Sequence, residues 1–193
     1  MMLRALGRLL AAHPAVAVGV ALLLRSELGA APWEVFHAGL AHATGGTVGL
    51  AASATAVLAV GIALIAGVRP GLGTLVNVVL LGACIDAALA IVPVAPSVAL
   101  AACYLGAGIV LLGLGTGLYL SARLGAGPRD SLMIALTRRR GWSISRARIA
   151  VELIALVAGL LLGGRAGIGT LVYAAAIGPA TQWGIDLFAK EST

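Results

Sequence analysis

The sequence predicts an all-α, polytopic membrane protein of about six transmembrane helices, built as two three-helix repeats of inverted topology, each with a short interfacial or re-entrant helix. Three observations predict it: an apolar composition, six apolar runs long enough to span a bilayer, and an internal repeat at an offset of 96 residues. Hydrophobic residues make up 61% of the 193 and charged residues 10%, with a mean hydropathy of +1.07, too little polar surface to clothe a water-soluble domain. At roughly 20 residues per crossing the length admits six spans in a single membrane domain.

The runs lie near 8–25, 47–67, 72–92, 98–121, 144–164 and 168–188, with soft boundaries. Arg4 and Arg8 precede the first run in the manner of a secretory leader, but its repeat-mate is internal, so it is expected to remain a helix. Between the first and second runs, and between the fourth and fifth, stand 32–44 and 128–140, too short to cross. The glycines fit close helix packing, as at Gly159 and Gly163 in a small-xxx-small pattern. Cys84 and Cys103 lie in apolar stretches, where small thiols pack well and neither a disulfide framework nor a metal spacing is present.

Laid on itself without a gap, residues 8–92 form one repeat and 98–188 the other. Leu28-Gly-Ala-Ala-Pro-Trp-Glu34 falls on Leu124-Gly-Ala-Gly-Pro-Arg-Asp130, and Gly67-Val-Arg-Pro-Gly-Leu-Gly-Thr-Leu-Val76 on Gly163-Gly-Arg-Ala-Gly-Ile-Gly-Thr-Leu-Val172. Three crossings per unit would start the second copy on the opposite side. With a cytoplasmic N-terminus, Arg4, Arg8, Arg69, Arg123, Arg129, Arg138, Arg139, Arg140, Arg146, Arg148 and Lys190 are inside and only Arg25 and Arg165 outside, as the positive-inside rule requires. The C-terminus is then cytoplasmic too. The net charge of +6 therefore serves orientation against anionic headgroups, and no nucleic acid is expected.

Pro32 and Pro128 suit a first helical position, and Glu34 and Asp130 two residues on face the helix's positive end. Capping accounts for both acids; a gate or cation site on a mobile half-helix is the functional alternative. The turns Arg69, Gly71, Gly73, Thr74 and Arg165, Gly167, Gly169, Thr170 deliver the chain into helices with unsatisfied N–H groups. They can form plain hairpins or hold an anion, although they lack the Gly-Lys-Ser/Thr ending of a P-loop.

Few ionisable groups lie within the spans, which makes them informative: Asp86, Glu152 and Asp186. Glu152 follows Arg148 by one turn and fits an intrahelical pair. Asp86 has no local partner and overlays Gln182, so it is the leading candidate for coupling a proton or sodium ion. Asn77 and Tyr173 also overlay and could hydrogen-bond a substrate or a neighbouring helix. His37 and His42 are five apart, off a shared helix face, so no metal is expected. No nucleophile motif or dinucleotide fingerprint stands in a suitable context, so neither an enzyme nor a cofactor is expected.

Leu28-Gly-x-x-Pro-Trp33, Leu124-Gly-x-Gly-Pro-Arg-Asp130, Arg148-x-x-x-Glu152 and Gly163-Gly-Arg-x-Gly-Ile-Gly-Thr170 together resemble the YczE/YyaS/YitT-like family of bacterial membrane proteins, closest to the YczE-type branch. The resemblance implies a multi-pass plasma-membrane protein and carries no catalytic or ligand-binding set. Two function classes follow from the residues. A small-solute or ion transporter is favoured by the inverted repeat, broken-helix candidates and intramembrane acids. A non-transporting accessory protein, scaffolding or regulating a biosynthetic or signalling complex through a membrane-protein partner or a second copy, is the alternative. The substrate-binding subunit of a multi-component importer would further need an ATPase partner.

Overall fold

In the computed structural model, which describes residues 2–189, the described residues form eight α-helices and no strand. They are α1 (Met2–Arg25), α2 (Pro32–Thr44), α3 (Val48–Ile65), α4 (Leu72–Ile91), α5 (Val98–Ser121), α6 (Pro128–Arg140), α7 (Ile144–Leu161) and α8 (Ile168–Ala189). Lys190, counted above among the inner charges, lies outside the described residues. Four helices, α1, α3, α4 and α5, are long and apolar enough to cross a membrane. The sequence leads to an expectation of six. α7 is diluted by Arg146, Arg148 and Glu152, and α8 by Pro179, Gln182 and Asp186.

Each of the first four helices begins 96 residues before one of the last four. Backbone irregularities keep the same spacing. Left-handed glycines pair as Gly29 (φ 109°) with Gly125 (124°), Gly45 (68°) with Gly141 (65°), and Gly67 (81°) with Gly163 (92°). Even the non-glycine exceptions, Glu27 at 55° and Arg123 at 53°, match. Gly45 and Gly141 end α2 and α6 as left-handed caps, a conformation that a Cβ would strain.

α1 and α5 cross antiparallel at the centre, since Gly19 meets Gly108 and Leu112 while Val16 meets Gly115. α4 packs on α1 and α8 on α5, α2 lies along α7, and α6 along α3. The core is built on Ala17, Val20, Leu23, Ile85, Leu105 and Leu112. Outward-facing side chains such as Ile65, Val79 and Leu161 are exposed and apolar, as contact with lipid requires.

Candidate functional site

The site begins with two helices that start in the wrong place for a surface helix. Ala31 is extended (ψ 154°) and Pro32 opens α2, the arrangement that proline's fixed φ and missing donor favour. Trp33, in its first turn, packs on Val151 and Ala155, halfway along α7. Gly39 lies against Gly159 and Gly164, and His42 against Gly163, so α2 runs with α7 to the C-terminal end of α7. The second half repeats this against α3. Ala135 packs with Ala63 and Val68, and Arg138 and Arg139 donate to the carbonyls of Gly67 and Ile65, so α6 ends where α3 ends.

The two ends are on opposite faces. The turn after α7 touches Leu28 and Gly29, just beyond the end of α1, and the turn after α3 touches Leu124 and Gly125, just beyond the end of α5. Because α1 and α5 are antiparallel, α2 and α6 leave in opposite directions, and their N-termini meet inside the bundle. Arg129 Nη2, in the first turn of α6, donates to Glu34 Oε1, in the first turn of α2, at 3.0 Å. The same guanidinium lies 4.9 Å from the centre of the Trp33 ring. Glu34 is 2% exposed, and an isolated carboxylate there would be costly without that arginine.

A cavity of about 350 Å³ surrounds this junction, lined by His13, Trp33, Glu34, His37, Arg129, Asp130, Arg148 and Glu152, among others. Apolar walls come from Val16, Val20, Leu112 and Ile177. Arg148 Nε donates to Glu152 Oε1 at 3.0 Å, the intrahelical pair that their spacing suggests. Asp130 opens onto the cavity with protein behind it. Glu34 Oε2, Trp33 Nε1, His37 Nε2 and the Tyr119 hydroxyl have no hydrogen-bond partner among the described residues.

Of the residues that the sequence singles out, Glu34, Asp130, Asn77, Glu152, Tyr173, Gln182, Pro32 and Pro128 come together around this cavity. Asp86 does not. Its Oδ2 accepts from the Thr47 hydroxyl at 2.6 Å and its Oδ1 from the Gly49 N–H at 2.7 Å, which ties the start of α3 to the end of α4. The glycine turns also stand apart, clasped by the opposite half of the chain. Gly73 N donates to Leu124 O at 2.8 Å and Gly169 N to Leu28 O at 2.7 Å. Thr74 accepts from Gly71 N and donates to Ala126 O, and Thr170 accepts from Gly167 N, while Arg69 and Arg165 are exposed. Sequence reasoning missed Trp33, His37 and Tyr119 and saw Arg129 only as an orienting charge. The available signal was the overlay itself, which sets Trp33 on Arg129, an aromatic ring against a cation at a motif otherwise kept.

The apolar helices and the relatives agree on the class: this is an integral membrane protein. Residues 4–185 match the model of a family of unknown function, DUF6198, and the chain belongs to that family. It is 39% identical to the uncharacterized membrane protein YczE of Bacillus subtilis over 161 residues, covering 82% of this chain and 75% of that one. An uncharacterized protein of Haemophilus influenzae is 34% identical over 186 residues, covering 94% and 84%. The uncharacterized protein YyaS of Bacillus subtilis is 29% identical over 162 residues, covering 81% and 80%. These relatives agree with the YczE-type resemblance of the sequence motifs. No solved structure matches the chain.

Proposed function

We propose that this protein is a small-solute or ion transporter of the bacterial plasma membrane, in which the two halves of the chain form an inverted repeat and expose a shared central site to each side in turn. The supporting observation is the meeting of two oppositely directed half-helices, α2 and α6, at an ion-paired cavity. Non-helical backbone at membrane depth survives only where protein or a water-filled cavity covers it, and half-helix N-termini at the midplane are a recurring way to build a transport site. In this reading α7 and α8 cross as well, giving six crossings, and both chain termini are cytoplasmic. The polar residues that dilute α7 and α8 face the cavity in part: Arg148, Glu152, Thr181 and Gln182 line it. The cavity volume falls at the low end of ordinary ligand sites, which favours a small solute.

The test is a thermal-shift screen of the purified full-length protein against a broad panel of small solutes and ions, with Glu34→Gln alongside, since a ligand of the native state raises apparent stability. A hit that is weakened in Glu34→Gln, and that is taken up by proteoliposomes, is expected. Silence across the panel from a folded sample, with a stoichiometric membrane-protein partner co-purifying, would favour the accessory-protein reading instead.

A further inference from the structure

The charges that line the cavity specify a ligand class, an inference that rests on the transporter reading above. Two arginines and three carboxylates line it. Arg129 is paired with Glu34 and Arg148 with Glu152. Among the described residues that leaves Asp130 without an ion pair of its own; its carboxylate, at the start of α6, is open to the cavity. The surplus charge is therefore one negative group at the start of α6.

A second, independent observation points the same way. Glu34 is nearly fully buried and lines the same cavity, and its Oε2 accepts from no group among the described residues. Both carboxylates keep acceptor capacity that no described residue fills, and each arginine beside them is already ion-paired, so an anion would meet a surplus of negative charge. A cation carrying N–H groups would answer the surplus charge and the two open carboxylate acceptors. Among the described residues no group of three His, Cys, Asp or Glu side chains could hold a metal ion. Val16, Val20, Leu112 and Ile177 wall the cavity with hydrocarbon, which a bare inorganic ion would not use.

We propose that the cavity binds a small organic monocation with N–H donors, a protonated primary amine, with its ammonium on Asp130 and its hydrocarbon part against Val16, Val20, Leu112 and Ile177. Asp130 is then the accessible recognition group, and the Arg129–Glu34 pair fixes the two helix starts between which the ammonium is held.

The experiment uses full-length protein in nanodiscs and three probes of equal size and different charge: n-butylammonium, butyrate and butan-1-ol. Thermal shift and intrinsic tryptophan fluorescence report binding to wild type, Asp130→Asn, Asp130→Glu and Asp186→Asn. Butylammonium should stabilise wild type and Asp186→Asn alike, bind Asp130→Asn at least tenfold more weakly, and recover most of its affinity in Asp130→Glu. Butyrate and butanol should do neither. Stabilisation by butyrate or butanol equal to that by the amine, an amine effect undiminished in Asp130→Asn, or no amine effect on wild type would each overturn the proposal. If Asp130→Asn fails to fold, the comparison of the three probes on wild type decides. An anionic or neutral hit from the broad panel would sink the amine and leave the transporter reading standing, whereas silence across both panels would sink both.

Discussion

The α3–α4 and α7–α8 pairs occupy matching positions in the two halves and are packed differently. At α3–α4 a Cβ on Gly82 would run into the Gly49 carbonyl and the Ser53 hydroxyl, and Asp86 of α4 caps α3. The corresponding positions in the second half are Gly178, Ser145, Ile149 and Gln182. There, among the described residues, α7 and α8 scarcely touch, a Cβ on Gly178 would meet nothing within 4 Å, and Gln182 donates to Asp186 on its own helix at 2.8 Å. Residues of both α7 and α8 line the cavity. One pair is sealed and the other parted. The lesson is that one helical scheme supports both arrangements.

The comparison can be broken in four places, the largest effect first. Arg129→Ala should cost about 3–5 kcal/mol, because it leaves the Glu34 carboxylate buried and uncompensated, whereas Glu152→Gln, in an exposed pair, should cost less than about 1 kcal/mol. Equilibrium unfolding in detergent compares them, and equal costs would show that the junction of α2 and α6 is no more critical than a surface pair. Gly82→Leu should lose about 1–3 kcal/mol by forcing α3 off α4. Asp86→Asn keeps the shape but weakens the cap on α3, for a loss of about 0.5–2 kcal/mol, while its counterpart Gln182→Ala should change little. Gly178→Leu should stay within about 0.5 kcal/mol of wild type, since the site is open, yet stop transport by holding α7 and α8 apart. A Gly178→Leu protein that transports normally would remove the need for those helices ever to close.

Much of this fold was legible because a helix in lipid must satisfy its own backbone, so apolar runs and their interruptions are read directly. The short helices fall at 32–44 and 128–140, where Pro32 and Pro128 open them and Gly45 and Gly141 close them. The Arg148–Glu152 pair was legible for the same local reason. Contacts between the halves were not. Arg129 and Glu34 are 95 residues apart, and nothing in the spacing says that two helix starts will converge. Asp86 stood out as a lone acid within a span, but its partners, Thr47 and Gly49, belong to the neighbouring helix and could not be seen from its own. The different packing of α3–α4 and α7–α8 was hidden too, because Gly82 and Gly178 are the same residue in matching places and only their surroundings differ.

The central claim is that the cavity is reached from both sides of the membrane in turn, and Thr181, on its α8 wall, reports this most directly. Cys84 and Cys103 would be replaced by alanine and Thr181 by cysteine, and a membrane-impermeant maleimide would be applied outside intact cells and, separately, to inside-out vesicles. Rapid labelling from the cytoplasmic side is expected, through the parted α7 and α8, with slower labelling from the outside that Gly178→Leu abolishes. Labelling from one side alone, unchanged by Gly178→Leu, would contradict alternating access and with it the transporter reading.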